Sequence, residues 1–185
     1  FRSANGSGLA AFQGLLVNVF VWPVRVYYED TDSGGIVYHA NYLKFMERGR
    51  TEWLRALGFD QSRLKQELGI LFVVRSLRID YAKPAQFDDK LEIVTRVMAR
   101  RGASLLFHQA VRRVEPEPAL LAEGEVKVAC LDAHTLRPRP IPDLIATEIE
   151  DGFGDRSGRP EAACYPGLLG GQSEVGIHPD RLGDY

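Results

Sequence analysis

The sequence is poor in cysteine and nearly balanced in charge. Its 185 residues include two cysteines, Cys130 and Cys164, and neither has a second Cys or a His three positions away. This pattern excludes a disulfide-stapled scaffold and the usual zinc motifs, and it indicates a reducing, cytoplasmic environment. The formal net charge is −2. A dedicated nucleic-acid-binding protein carries a strong basic excess, so we expect no nucleic-acid partner.

Several other signatures are missing as well. The sequence contains no P-loop, no GxSxG nucleophile motif and no HRD kinase motif. The histidines lack the short spacings of metal ligands, so we expect no bound metal. They are His39, His108, His134 and His178. The apolar stretch from Gly8 to Trp22 is too short to cross a bilayer, and polar residues interrupt it, so we expect neither a membrane span nor a secretory signal.

Composition divides the chain into three parts. Residues 150–185 hold eight of the eighteen glycines, and seven acidic residues against three arginines, with no apolar periodicity. Such a segment cannot bury enough surface to offset its ordering entropy, so we expect residues 148–185 to form a disordered acidic tail. We expect residues 1–20 to be a flexible or non-native extension. The remaining part, residues 21–147, is long enough for one domain with a substantial core.

The sequence predicts one long amphipathic helix. Apolar residues recur at helical spacing from Tyr42 to Leu57. Asn41 is a favourable N-cap, and Gly58 is a favourable terminator. Gly49 lies on the apolar face, where it costs roughly 1 kcal/mol relative to alanine. A closely packed sheet would account for a glycine at this position.

Five strand patterns surround this helix. The first precedes it, with Val24, Val26 and Tyr28 at alternating positions. The other four follow it, over residues 69–82, 91–99, 104–114 and 120–131, and a last short helix is expected after Pro142. The short links between strands predict consecutive antiparallel hairpins. The predicted fold class is therefore α+β, with a five-stranded antiparallel sheet wrapped around one long helix.

The loop between the first strand and the helix carries the candidate chemistry. It brings two carboxylates, Asp30 and Asp32, into a glycine-rich turn. A carboxylate there can act as a general base or a nucleophile, and the unpaired amides of a helix start can hold an oxyanion. Gly35 lets backbone approach a ligand without a Cβ in the way. The same residues also build an ordinary turn, and His39 also fits a polar helix entry, so the pattern alone leaves both interpretations open.

The run YEDTDSGGIVYHANY, residues 28–42, resembles the signature of hotdog-fold acyl-CoA thioesterases. It is similar to the 4-hydroxybenzoyl-CoA thioesterase family, and in particular to its Tol–Pal-associated branch. Shorter matches follow in the same order within residues 21–147. They are ERGR at 47–50, YAKPA at 81–85, DDKL at 88–91 and SLLF at 104–107. The resemblance implies a hotdog fold and the hydrolysis of an acyl-CoA to a free acid and CoA, with no cofactor beyond the CoA of the substrate.

The resemblance also implies roles for particular residues of the loop. The catalytic carboxylate of the family falls on Asp32, and the histidine of the branch falls on His39. The oxyanion would be held by amides at the helix start, around Tyr38 and His39, with Gly35 beside them. Whether Asp32 activates water or attacks the thioester itself stays open.

Binding partners follow from the same resemblance. The arginines that bind CoA phosphates in the family fall on Arg100, Arg101 and Arg139, although arginines at a solvated hairpin tip are equally ordinary. Hotdog domains pair edge to edge, so we expect a homodimer or homotetramer with the acyl site between protomers. The branch further implies an association with cell-envelope or lipid-synthesis proteins.

Two other functions fit the same chain. A hotdog hydratase or dehydratase also pairs an Asp with a His on an acyl-CoA substrate. A non-enzymatic acyl-CoA-binding module would keep the fold but would have no need of Asp32. The sequence does not indicate which acyl chain is preferred.

Overall fold

Five strands and three α-helices make up residues 19–151, the part of the chain that this computed structural model describes. The strands are β1 (Phe20–Arg25), β2 (Ile70–Tyr81), β3 (Lys90–Arg101), β4 (Ser104–Glu115) and β5 (Ala119–Asp132). The helices are α1 (His39–Ala56), α2 (Gln61–Leu68) and α3 (Asp143–Asp151). The α+β class, the five-stranded antiparallel sheet and the long helix are therefore confirmed. The predictions for residues 1–18 and 152–185 fall outside the described residues.

The strand order across the sheet is β1–β3–β4–β5–β2, and every neighbouring pair is antiparallel. The hairpins β3–β4 and β4–β5 are present as expected, but β2 does not pair with β3, so the expectation of hairpins throughout is wrong. The link over residues 82–89 crosses the end of the sheet instead. Ala82 N–H donates to Leu121 O of β5 (2.8 Å), and Asp88 N–H donates to Val26 O just after β1 (3.1 Å). These bonds carry the chain from the β2 side of the sheet to the β1 side.

Helix α1 begins three residues earlier than expected, because Tyr38 and not Asn41 is its N-cap. The Tyr38 carbonyl accepts the Asn41 N–H (2.8 Å), which closes the first turn. The Asn41 side chain is buried and donates to Asp30 O (2.9 Å) instead of capping the helix. The helix ends at Ala56, and Gly58 follows with a φ of +94°, so the predicted role of this glycine is confirmed.

The helix lies very close to the sheet at Gly49. A Cβ at this position would stand 2.7 Å from Ile93 Cγ2 and 3.1 Å from Thr95 Oγ1, both on β3. The expected close approach of the sheet is therefore confirmed. A larger residue would require these buried neighbours to move.

A buried amide lies beside this contact. Gln109 of β4 is fully buried, and its Nε2 donates to Met46 O of the helix (2.9 Å) and to Thr95 Oγ1 (2.8 Å). Its Oε1 accepts from Arg50 Nη1 (2.7 Å). Burial lowers the pKa of the Arg50 guanidinium. Because each polar atom of the Gln109 side chain has a partner, the network links α1, β3 and β4 without leaving a buried amide unpaired.

Two apolar clusters fill the space between α1 and the sheet, one near each end of the helix. The first includes Phe45 and Ile93, and the second includes Leu54. Helices α2 and α3 cover the second cluster through Leu64 and Ile145, which are both buried. The long helix thus has a different set of neighbours at each end.

Helix α2 was not expected from the sequence, although both of its ends carry recognisable signals. Asp60 is its N-cap and accepts the Ser62 N–H (2.8 Å), and Gly69 ends it with a φ of +62°. Helix α3 was expected after Pro142, but it continues to Asp151, so residues 148–151 are helical and do not belong to the predicted tail. Across residues 19–151, no helix combines the length and the apolar character needed to cross a membrane.

We expect Gln109→Leu to lower the free energy of unfolding by about 2–4 kcal/mol, because it leaves Met46 O and the Arg50 guanidinium without their partner. A urea titration followed by circular dichroism measures this change. The matched control is His108→Leu, at the half-exposed position before it on β4, which should cost less than about 0.5 kcal/mol. Equal losses in the two variants would show that the amide network does not stabilise the helix–sheet contact.

Candidate active site

Strand β1 ends at Arg25, and the chain then leaves the sheet. The expected alternation through Tyr28 is wrong, since Tyr28–Asp30 forms a 3₁₀ turn. Asp30 is responsible for this turn: its carboxylate accepts the Tyr27 N–H (3.0 Å), and its own N–H donates to Tyr27 O (3.1 Å). These bonds bend the backbone away from β3.

Asp30 is a structural residue. Its side chain is buried, and its carbonyl accepts two hydrogen bonds from the start of α1. The donors are Tyr38 N–H (2.9 Å) and Asn41 Nδ2 (2.9 Å). Asp30 therefore fixes the loop to the helix start, and its carboxylate does not face solvent.

Asp32 has the opposite environment. It is exposed, and its Oδ1 accepts the Gly34 N–H (2.8 Å). Its backbone closes a tight turn, because its N–H donates to Ile36 O (2.9 Å) and its carbonyl accepts the Gly35 N–H (3.0 Å). Gly35 has a φ of +75°, which favours glycine at this point of the turn. The turn presents the Asp32 carboxylate to solvent beside the helix start.

The backbone amides near Asp32 require a correction to the predicted oxyanion site. The Tyr38 N–H donates to Asp30 O, and the Gly35 N–H donates to Asp32 O, so both are already engaged. The first amides of α1, those of His39 and Ala40, have no acceptor within the helix. The amides at this point that could still donate to a ligand are therefore those of His39 and Ala40, at the positive end of the helix dipole.

Aromatic side chains surround the helix start. The Tyr81 hydroxyl at the end of β2 donates to His39 O (3.0 Å), and its ring packs edge-on against Tyr42 (5.4 Å between centroids). The Tyr42 hydroxyl accepts the Ala85 N–H (2.8 Å). Burial raises the pKa of both phenols, so they stay neutral at physiological pH. The His39 ring is exposed and lies 4.4 Å from the Tyr38 ring, between centroids.

The three candidate CoA-binding arginines lie at the opposite end of the sheet. Arg100 forms an ion pair with Glu150 of α3, and Arg101 is exposed at the end of β3. Arg139 Nη1 donates to the carbonyl of the last residue of α2 (3.0 Å). The Asp32 loop adjoins the chain just before β3. The Asp32 loop is therefore separated from Arg101 by the length of β3, which is roughly 35 Å at about 3.3 Å per residue. A single chain does not bring these groups together.

An apolar cavity of about 110 Å³ lies between the C-terminal half of α1, the start of α2, strands β2, β4 and β5, and helix α3. Its deep wall consists of buried apolar side chains. They are Leu54, Leu105, Phe107, Val128, Ile145 and Ile149. Its exposed lining residues are Glu47, Gln61, Val73 and Val74, and two of these belong to β2, so the cavity opens beside this strand. Arg50 also lines it, eleven residues after the start of α1, which is a rise of roughly 16 Å along the helix.

A β-bulge at Arg75 determines which β2 side chains face this opening. The register pairs Val74 with Val128 and Leu77 with Val126, and it skips Arg75. Val74 and Leu77 therefore point to the same face of the sheet, whereas an unbroken alternation would turn them to opposite faces. Both are apolar and still 51% and 40% exposed, respectively.

Two other kinds of reactive group could occur in this chain, a cysteine nucleophile and a metal site. Cys130 of β5 packs in the core, and burial raises the pKa of its thiol. Within residues 19–151, no three His, Cys, Asp or Glu side chains lie close enough together to hold a metal ion. The apolar cavity could not be found from the sequence, because its walls come from six separate elements. The ERGR motif at residues 47–50 was the signal that could have indicated it, because Glu47 and Arg50 line the cavity.

Comparison with known proteins relates the chain to thioesterases. The model of the thioesterase-like superfamily matches residues 26–149. The chain is 49% identical over 132 residues to the acyl-CoA thioester hydrolase YbgC of Escherichia coli, an overlap of 71% of this chain and 96% of that protein. A probable thioesterase from Bartonella henselae is 37% identical with a TM-score of 0.63, covering 67% of this chain and 99% of that structure. The 4-hydroxybenzoyl-CoA thioesterase of Pseudomonas sp. strain CBS-3 is 21% identical with a TM-score of 0.67, over 71% and 99% of the two chains. The expected hotdog fold is confirmed.

We expect the two aspartates of the loop to differ in their effect on stability. Asp30→Ala should lower the free energy of unfolding by about 2 kcal/mol, because the Tyr27 N–H loses its acceptor and the 3₁₀ turn loses the hydrogen bond that closes it. Asp32→Ala, the matched control, should cost about 0.5 kcal/mol or less, because its carboxylate is exposed. Denaturant unfolding measures both values. A loss at Asp32 as large as that at Asp30 would contradict the separation of structural and reactive carboxylates.

Proposed function

The chain belongs to the thioesterase-like superfamily, and we propose that it hydrolyses the thioester bond of an acyl-CoA, releasing the free acid and CoA. The observation that carries this proposal is the exposed Asp32 carboxylate, in a tight turn that leads directly into a helix start whose first amides, those of His39 and Ala40, have no acceptor within the helix. Thioester hydrolysis needs these two kinds of group, a base or nucleophile and an oxyanion site. The name of the 49% identical relative, an acyl-CoA thioester hydrolase, supports the substrate class.

Two routes are open to Asp32. As a general base, it takes a proton from water while the water oxygen attacks the thioester carbonyl; the C–S bond breaks, and the leaving CoA thiolate takes up that proton. As a nucleophile, it attacks the carbonyl directly, CoA leaves, and water then cleaves the acid anhydride. In both routes the carbonyl oxygen gains negative charge, which the amides of His39 and Ala40 would bind.

The surroundings of Asp32 leave room for a substrate. Apart from Gly35 itself and its chain neighbours Gly34 and Ile36, no described residue has a heavy atom within 4 Å of the position that a Cβ of Gly35 would occupy, so the turn is open to an incoming group. The exposed His39 imidazole would orient the thioester or the Asp32 carboxylate. The Tyr38 amide already donates to Asp30 O, so Tyr38 would contact the substrate through its ring, which is 47% exposed.

A second copy of the chain would complete the site by pairing through β2. This strand is a twelve-residue edge of the sheet, and a groove separates its exposed Val74 and Leu77 from α1. The other edge, β1, has six residues and contains Pro23, which has no N–H to donate to a neighbouring strand. An unprotected edge with apolar side chains favours pairing, so β2 is the expected contact of a homodimer, or of a homotetramer built from such dimers.

Pairing through β2 would also join the two halves of the site. Tyr81 is the last residue of β2, and it contacts the start of α1. The cavity opens at the other end of this strand, beside Phe72. A two-fold axis near Ser76 places Tyr81 of one chain opposite residue 71 of the other. The Asp32 loop of the partner subunit then lies beside the opening of the apolar cavity, which would receive the acyl group.

The remaining parts of CoA would extend over the surface of the dimer. Arg101 is the favoured phosphate contact because it is exposed, whereas Arg100 pairs with Glu150 and Arg139 donates to backbone carbonyls. We place this hydrolysis in the reducing cytoplasm. The free thiol of the described cysteine, Cys130, supports this location. The resemblance to the Tol–Pal-associated branch supports an association with cell-envelope proteins.

We expect Asp32→Asn to reduce thioester hydrolysis at least about 100-fold, because the amide keeps the shape but loses basicity and nucleophilicity. Release of CoA thiol from a panel of acyl-CoAs, followed with a thiol reagent, measures the rate. Glu29→Gln is the matched control, since Glu29 is an exposed carboxylate in the same loop, and it should retain the wild-type rate. Wild-type turnover by Asp32→Asn would disprove the assigned role.

We expect Leu77→Glu to produce a folded but inactive monomer, because a charge on the exposed inner face of β2 cannot be buried against a second copy. Sedimentation velocity and thiol release measure assembly and activity together. Val21→Glu is the matched control on the other edge of the sheet; this residue is 42% exposed, close to the 40% of Leu77, and the variant should stay dimeric and active. A dimeric Leu77→Glu, or a fully active monomer, would rule out the shared site.

A further inference from the structure

We infer that helix α3 sets the length of the acyl chain, with Ile145 and Ile149 as the residues that close the far end of the acyl pocket. This inference rests on the proposed function and narrows its substrates to short acyl groups. It assigns a role to the C-terminal helix, which contributes none of the reacting groups.

The position of the two isoleucines in the cavity supports this role. They lie four residues apart on α3, so their side chains lie on the same face of the helix, and both line the cavity. They are 0% and 2% exposed, whereas the lining residue Val74 beside β2 is 51% exposed. Trp53 forms a side wall, packed edge-on against Phe107 at 5.0 Å between ring centroids. A chain that enters beside β2 therefore runs toward α3.

The size of the cavity limits the chain. Its volume of about 110 Å³ is smaller than the roughly 150 Å³ of a protein cavity that holds benzene. On the same scale, about 150 Å³ holds the six carbons of benzene, so about 110 Å³ holds about four carbons. A longer chain would have to displace α3.

Contacts at both ends of α3 hold it in place. Just before the helix, the Ile141 N–H donates to Gly102 O in the β3–β4 turn (3.2 Å). Near its end, Glu150 forms the ion pair with Arg100 of β3. Both contacts attach α3 to the same end of the sheet, so the floor of the cavity is fixed relative to its walls.

The experiment compares kcat/KM for straight-chain acyl-CoAs from acetyl to dodecanoyl. For the wild type, we expect a rise of roughly fourfold per added methylene up to about four carbons, and no gain beyond. Ile149→Ala removes three carbons from the floor, so its optimum should lengthen by two or three carbons. The ratio of hexanoyl-CoA to butanoyl-CoA should rise roughly tenfold. Leu144→Ala is the matched control, because this residue lies on the same helix and is 62% exposed; it should keep the wild-type profile.

The outcomes separate this inference from the proposed function. A folded Ile149→Ala with the wild-type profile, or a wild type that prefers dodecanoyl-CoA, would overturn the role of α3 while leaving thioester hydrolysis intact. A folded wild type that cleaves none of the series would instead overturn the proposed function. Thermal melts establish folding. Should Ile149→Ala fail to fold, Ile149→Val supplies the second measurement, with an expected lengthening of about one carbon.

Discussion

The close contact of helix α1 with the sheet at Gly49 is the constraint on which the rest of the domain depends. Because a glycine lets the helix approach Ile93 and Thr95, the helix axis is fixed at its midpoint. The buried Gln109 amide adds direction to this contact, since its bonds to Met46 O and Thr95 Oγ1 form in one orientation only. The two ends of the helix then have fixed places. One end meets the Asp32 loop, and the other forms a wall of the apolar cavity.

This arrangement separates the reactive groups from the apolar cavity within one chain. The amides proposed to hold the oxyanion belong to the first turn of α1, whereas Arg50 and Trp53 line the cavity near its last turns. An extended sheet does not bend enough to bring its two ends together, so a folded chain alone cannot close this gap. In the proposed dimer, a two-fold axis through the β2 edge would close it without any movement inside either chain, and the exposed Val74 and Leu77 would then be covered.

The sequence predicted most of the elements and the glycine-rich turn that carries Asp32, because these depend on local patterns. The apolar periodicity of α1, the terminator Gly58 and the turn around Gly35 all follow from residues close together in the chain. The pairing of β2 with β5 could not be predicted in this way, because it joins residues about fifty positions apart. The bulge at Arg75 and the engaged Tyr38 amide likewise depend on partners that the local sequence does not name. The cavity was missed for the same reason.

The burial of Cys130 has a consequence for an enzyme that liberates a thiol. Free CoA accumulates during turnover, and under oxidising conditions small thiols cap exposed protein thiolates as mixed disulfides. Such exchange needs a thiolate that solvent can reach. Cys130 is fully buried, and its raised pKa keeps it protonated, so it is a poor target for this reaction. Within residues 19–151, the CoA released by the reaction therefore finds no accessible thiol to modify.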